Sequence, residues 1–475
     1  MEAEHSEIVI GLVTPIGTET SELADRVRGE LSKFAYTTVV IKISDLLGSS
    51  PLVVGEPEDV RVRRLISAGD DLCRRNITDD HPHGDPATLA RLAVREIRLA
   101  RLSLLRAAGE TEDADKLTKE HPRTAYVLHS LKRTAEVELL REIYADQFVL
   151  IGSQGSRQQR EENLLSRPIA ASTDEERLSV VRDLIKLDAN EEETCGQKMN
   201  DTYPLADFFL RDNEVERAVR LLFGEPIEPD IGEFAMYIAR ASRARSLAAS
   251  RKVGAAVVVG GSVISTGFNE VPTGHAPDVL QGTDASERAK RANVLDTLVH
   301  LRDAGLLNPE AADADDDLLL DKAMAALKGG ELLNVIEYQR AVHAEASAID
   351  DATVRGVSPA GGDLYVTTYP CHLCYKHALS VHLARVFYIE PYAKSRATAM
   401  YPDGSDDRLI PYAGVAPKRY IDVFDKRAAP VSDPDGMFKE IDRRVAVPLL
   451  GFVRNTDERA TQERLAVHGL LEELQ

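Results

Sequence analysis

Thr367-Thr368-Tyr369-Pro370-Cys371-His372-Leu373-Cys374 is the stretch on which the reading turns. An apolar run at 364–368 ends in it and a helical pattern at 371–383 begins in it, so it joins a strand to a helix. Pro370 suits a position just before or at a helix start. Cys371 and Cys374 stand at i and i+3, one turn apart on one helix face, where two sulfurs can grip one ion. A helix N-terminus and a metal both favour the thiolate. Upstream, Val342-His343-Ala344-Glu345 lies in another helical pattern, about 337–353, and His343 adds a nitrogen donor. One imidazole and two thiolates suit Zn2+. Three protein ligands leave a fourth position for water, the arrangement of a catalytic site.

Neither motif is specific alone. His5-Ser6-Glu7 repeats the H-x-E spacing elsewhere in the same chain. A lone C-x-x-C also serves redox chemistry, and a closed zinc knuckle could take His372 or His377 as a fourth ligand. The redox reading leaves His343 and Glu345 without a role. Taken together, H-x-E…P-C-x-x-C is the signature of the zinc-dependent nucleobase deaminases. Glu345, two residues past the ligand, is then the acid–base group. It takes a proton from water and delivers protons to a ring nitrogen and the leaving amine. The chemistry is hydrolytic: attack on an amidine-like ring carbon and loss of ammonia.

The region 231–424 resembles a cytidine/deoxycytidylate deaminase domain. The matching segments are Lys252-Val253-Gly254-Ala255-Ala256, Ser265 to Pro272, His343-Ala344-Glu345 and Thr367 to Cys374. The resemblance implies a central mixed sheet flanked by helices, with both metal motifs at helix starts. It places Asn269 where such enzymes contact the sugar or phosphate of a nucleotide; as a plain sequence feature, Asn269 is a turn residue after a strand. The run Tyr388-Ile389-Glu390-Pro391-Tyr392-Ala393-Lys394-Ser395 is more particular. With the preceding domain, it resembles the two-domain bacterial anti-phage deoxycytidylate deaminases, which join a P-loop kinase-like domain to a deaminase. That likeness implies dCTP or dCMP as substrate, a deoxyuridine nucleotide and ammonia as products, a homo-oligomer, and activity held off until infection, in some members by a small inhibitory RNA.

The expected fold class is α/β throughout. An N-terminal P-loop-like parallel α/β domain occupies 1–225, followed by a cytidine-deaminase-like α/β/α domain over 230–425 and a helical C-terminal extension over 426–475. The boundary falls at Gly224-Glu225-Pro226-Ile227-Glu228-Pro229, a Pro/Gly-marked linker. The opening run Ile8-Val9-Ile10-Gly11-Leu12-Val13, its turn at 14–18, and a helical pattern around Leu23, Val27 and Leu31 lead to a second β-rich run at 36–43. Further β-like runs fall at 125–128 and 148–151, helical patterns at 58–75, 86–108 and 133–144, and acidic helices over 173–223. A helix at 231–249 precedes a hairpin, 253–259 and 262–268, turned at Gly260-Gly261. The charged stretch 275–335 reads as a helical insertion with a solvated face.

The opening turn departs from a working phosphate loop, which wants G-x-x-x-x-G-K-[ST]. Gly11 and Gly17 are one residue too far apart, and Glu19 follows where a lysine is expected. A carboxylate there repels phosphate. ATP hydrolysis is not expected; nucleotide sensing through Gly11 and Gly17, with Arg157 and Arg160 as lid-like donors, remains open beside a plain surface role for those arginines. In the second domain Arg243, Arg245, Arg251, Lys252 and Lys394 cluster around the motifs, and Lys252 and Lys394 are the candidates for substrate phosphate.

Composition narrows the partners. The 475 residues carry a net charge of −20, which repels a polynucleotide backbone at long range. There is no Trp and aromatic residues make up 5%, a poor endowment for stacking single strands. A free deoxycytidine nucleotide is therefore the preferred substrate over a cytosine or adenine base in RNA or single-stranded DNA. A non-enzymatic scaffold with a dead deaminase is disfavoured by the intact His343, Glu345, Cys371 and Cys374. Four cysteines make no disulfide framework. No apolar run approaches the ~18 residues of a membrane span, and the acidic start does not resemble a secretory signal, so a cytoplasmic hydrolase without membrane partners is expected.

Overall fold

The computed structural model of the chain describes residues 7–47, 55–78, 80–109, 120–189, 191, 193–211, 214–249, 251–333, 335–336, 338–392, 395–425, 437 and 441–470. Two units emerge: one from 1–234 together with 411–475, the other from 235–410.

The first unit is built on a six-stranded sheet. Its strands are β1 (Ile8–Val13), β2 (Thr37–Lys42), β3 (Thr124–His129), β4 (Phe148–Ser153) and β5 (Phe208–Leu210). With β6 to β10 belonging to the second unit, β11 (Gly414–Val415) completes this sheet. The order is β11-β5-β4-β1-β3-β2, parallel except for β11. Parallel strands covered on both faces read as continuous apolar runs, and β1 is buried along its whole length. Helix Thr20–Ser32 packs Leu23, Val27 and Leu31 into the same core as Ile8, Ile10 and Leu12. The acidic stretch 173–223 is not all helical: β5 interrupts it between helices Asp174–Ala189 and Val215–Leu222. The run is short, with Phe208-Phe209-Leu210 buried, and too brief for alternation to show.

The described residues from 441 to 470 pack on the N-terminal part of this unit. Helix Thr456–His468 brings Arg459 and Glu463 into a fully buried ionic cluster with Glu7, Arg101 and Glu120. Arg101 donates to Glu463 at 2.8 and 2.9 Å and to Glu7 at 3.0 Å. Charges this deep are tolerable only when each meets an opposite partner.

Gly11 lies inside β1, where Leu131 and Phe148 fill the space beside it. Gly17 lies in the turn that follows, against the backbone of Arg160. The turn is held by the protein's own side chains. Asp188 accepts the Ile16 N–H at 2.8 Å, Lys132 Nζ donates to Thr14 O and to Asp188 at 2.7 Å each, and Asn163 donates to Gly17 O. Glu19 pairs with Arg167 at 2.6 Å.

The second unit holds a five-stranded sheet of β6 (Gly254–Val259), β7 (Ser262–Phe268), β8 (Asp363–Thr368), β9 (Arg385–Glu390) and β10 (Leu409–Pro411), in the order β10-β9-β8-β6-β7. β6 runs antiparallel to β7 and β8, and β8 parallel to β9, so the sheet is mixed. Helix Ala344–Val354 lies on β6 and β7 through Ala344, Ala348 and Ile349. That approach needs a bare backbone at Gly267: a Cβ there would stand 2.1 Å from Ala344 O. The helix starts at Ala344, not at 337 as the pattern suggested. Val342 instead pairs with Glu270 in an antiparallel bridge just before the helix begins. The insertion is helical, with helices Asp278–Gln281, Ala285–Asp303, Pro309–Ala312 and Asp316–Ala326.

Candidate active site

Two helix starts converge. His343 is the N-cap of helix Ala344–Val354, and Cys371 is the N-cap of helix His372–Ser380, directly after β8. The Cys371 sulfur accepts the Cys374 backbone N–H at 3.4 Å, as an N-cap should. His343 Nδ1 lies 3.3 Å from Cys371 Sγ and 3.3 Å from Cys374 Sγ. The three donor atoms all fall within 4.8 Å of one another, and both thiols are buried.

This donor set fits zinc on three counts. It is a borderline nitrogen and two soft sulfurs. Its ring is oriented from behind: Gln339 Oε1 stands 2.6 Å from His343 Nε2, which puts a proton on Nε2 and turns the Nδ1 lone pair towards the sulfurs. Finally, one of the two sulfurs, Cys371, is favoured as thiolate. The Cys371 thiol is pushed down to about 4, chiefly because the Cys374 thiol donates to it and the His343 ring faces it. The Cys374 thiol moves up as the other half of that pair, and the sulfur beside it raises His343. Among the described residues this is the one cluster of three or more such ligands. Neither His372 nor His377 brings a fourth atom into it, so a closed knuckle is not what these residues make.

Glu345 is 4% exposed, and burial raises its carboxyl to about 7. With His343 and Cys371 it lines a cavity of about 610 Å3, within the usual size range of small-molecule sites.

The other expected contacts fall in different places. Asn269 lines the cavity, but both ends of its amide are engaged: Oδ1 accepts the Val253 N–H at 2.6 Å and Nδ2 donates to Arg251 O at 2.8 Å. It clamps the entry to β6 against the end of β7. Lys252 is exposed and is not among the lining residues. Lys394 lies outside the described residues. Arg243 pairs with Glu390, and Arg245 sits over the Phe268 ring. Arg251 lines the cavity and donates to Pro391 O at 2.9 Å.

The insertion keeps the solvated face expected of it and also has a second role. Its first part, from Pro277 to Lys290, forms a wall of the cavity. Sequence reasoning also missed Gln339, whose signal was present: it sits four residues before His343, and metal-bound histidines commonly have an acceptor behind the ring.

Residues 231–390 match the family described as "Cytidine and deoxycytidylate deaminase zinc-binding region". This part of the chain is thus a zinc-binding deaminase domain of the cytidine/dCMP type, with His343, Cys371 and Cys374 as the zinc motif. Among curated proteins, the chain is 32% identical over 98 residues to the "Probable deoxycytidylate deaminase" of Drosophila melanogaster, covering 20% of this chain and 45% of that one. It is 40% identical over 53 residues to "ComE operon protein 2" of Bacillus subtilis (strain 168), covering 11% and 28%. The chain therefore spans less than half the length of either relative. A dCMP deaminase from the cyanophage S-TIM5, solved with dCMP and dUMP, aligns over 39% of this chain and 98% of its own, at 19% identity and a TM-score of 0.25. No helix among the described residues is long and apolar enough to cross a membrane.

Proposed function

We propose that the chain is a zinc-dependent hydrolase that deaminates deoxycytidine nucleotides, dCTP or dCMP, to deoxyuridine nucleotides and ammonia. The observation that carries this is the buried Glu345 carboxylate, which opens on the same cavity as His343 and Cys371. Zinc held by His343, Cys371 and Cys374 would supply Lewis acidity that brings the pKa of water towards about 7. Glu345 accepts the proton given up by water, passes it to N3 of the cytosine ring, and delivers the next proton to the departing N4 amine. Burial suits that shuttle, because a carboxyl raised towards neutrality both accepts and releases protons. Val253, Val271 and Tyr392 give the base an apolar wall, and Asn269 fixes the backbone at the cavity mouth. The name of the Drosophila melanogaster relative supports a deoxycytidine nucleotide as substrate.

The run Tyr388 to Ser395 and the separate parallel α/β unit support the further reading of an anti-phage enzyme that depletes dCTP. On that reading the enzyme is a homo-oligomer, held off before infection by its other unit or by a small RNA. The P-loop likeness of the first unit rests on its opening strand, glycine turn and helix, while that turn is held by Asp188 and Lys132.

The test is ammonia release from the zinc-loaded protein with dCTP, dCMP, dATP, CTP, cytidine or a short single strand. Turnover confined to deoxycytidine nucleotides is expected; turnover of the strand alone would overturn the reading. For the cellular role, dCTP should fall after phage infection in cells carrying the protein and not in cells carrying Glu345→Gln.

A further inference from the structure

The insertion puts a lysine into the cavity wall. Helix Ala285–Asp303 presents Ser286 and Lys290, one turn apart on the same face, among the lining residues. The Lys290 side chain is 18% exposed, unusually covered for a lysine. Its nearest described carboxylate is Glu287 Oε2, on its own helix, at 4.0 Å, the outer limit of an ion pair. The Ser286 hydroxyl is buried and meets no hydrogen-bond partner among the described residues.

Apart from His343 and Glu345, the other charged lining groups are committed. Arg340 pairs with Asp278, and Arg251 donates to Pro391 O. Glu270 accepts the Leu247 and Val271 N–H groups at 2.7 and 2.9 Å. Asp278 accepts the Ala285 N–H, and Asp284 caps the helix through the Glu287 N–H at 2.9 Å. Each of these carboxylates accepts a hydrogen bond from the protein, while the Lys290 side chain is largely covered and its ammonium meets no described carboxylate closer than 4.0 Å. A covered, weakly paired charge is costly unless a ligand neutralises it.

We infer that Lys290, assisted by Ser286, recognises the phosphate of the substrate, so that the insertion selects a nucleotide over a nucleoside. The inference rests on the deaminase reading above and adds to it the group that sets substrate charge. Lys290 supplies a point charge with three donors, and the Ser286 hydroxyl adds a fourth. The base is then bound at the zinc motif and the anion at the insertion, which spans the cavity's two sequence-distant walls.

The experiment compares dCMP, dCTP and deoxycytidine on wild type, Lys290→Met and Lys290→Arg, each zinc-loaded and checked by thermal melting. Lys290→Met should raise KM for both nucleotides by about 10- to 100-fold. Its kcat should stay within about twofold and its kcat/KM for deoxycytidine should be unchanged, since only a ground-state anion contact is removed. Lys290→Arg should recover most of the loss by keeping the charge. Unchanged nucleotide KM in Lys290→Met, or an equal loss for deoxycytidine, overturns the inference. Should the wild type turn over no cytosine nucleotide, the deaminase reading fails and calorimetric binding decides this one separately. In that case wild type must bind dCMP more tightly than deoxycytidine and lose the difference in Lys290→Met; equal binding of the two by wild type overturns it.

Discussion

Gln339 and His343 are four residues apart, and the Gln339 carbonyl oxygen lies 2.6 Å from His343 Nε2, on the side of the ring opposite the two sulfurs. The amide therefore sets which ring nitrogen is left to bind metal. Gln339→Leu removes the acceptor at similar size and should weaken zinc about tenfold, the low end of the range for such partners because Gln339 is exposed. Chelator competition reads this directly; equal zinc affinity in the two proteins would show that the ring needs no support.

Glu345→Gln keeps size and burial and removes the proton acceptor. Zinc content should stay at one per chain while deamination falls by about 10²- to 10⁴-fold. Retained turnover in a zinc-replete variant would remove Glu345 from the proton path.

Gly267→Ala tests the packing that sets the site. Its methyl would meet Ala344 O at 2.1 Å and Ala348 N at 2.4 Å, both backbone atoms that cannot swing aside. The helix carrying His343 and Glu345 must shift from β7, at a cost of about 1–3 kcal/mol. Lower melting temperature together with weaker zinc binding is expected; a variant with wild-type melting and metal affinity would contradict it.

Lys418 gives a pH signature in the first unit. Burial lowers its ammonium to about 8, against the pull of Asp207 at 2.9 Å. The folded protein thus sheds this proton before the unfolded chain, whose lysine titrates near 10.5. Between those values the unfolded state holds more protons, so stability from this group rises with pH and is lost as pH falls through 8. Relative to Lys418→Met, wild type should gain stability from pH 8 to about 10.5. The slope should lie below the full ~1.4 kcal/mol per pH unit, because 26% of the side chain is exposed. Parallel stability curves for the two proteins would refute the shift.

The zinc motif was legible because its chemistry fixes spacing: two thiolates one turn apart at a helix start and a distant His-x-Glu have few other uses. The runs that became β1, β3, β4 and the β6–β7 hairpin were legible from apolar length and the Gly260-Gly261 turn. Three features were not. β5 and β11 are too short for a period to register. The start of helix Ala344–Val354 is decided by the Glu270–Val342 bridge, a contact between residues far apart in the chain. The cavity wall made by Pro277 to Lys290 is charged sequence that reads as surface, and only its sharing a cavity with the motif gives it another meaning.

The buried meeting of Glu7 with Arg101 and Glu463 also has a consequence for synthesis on the ribosome. Everything from 235 to 410 emerges before the helix that supplies Glu463. The zinc-bearing unit can therefore mature first, while Arg101 waits for half of its counter-charge. A stalled or prematurely terminated product would then carry the metal site's residues together with an N-terminal sheet whose ionic lock was never closed.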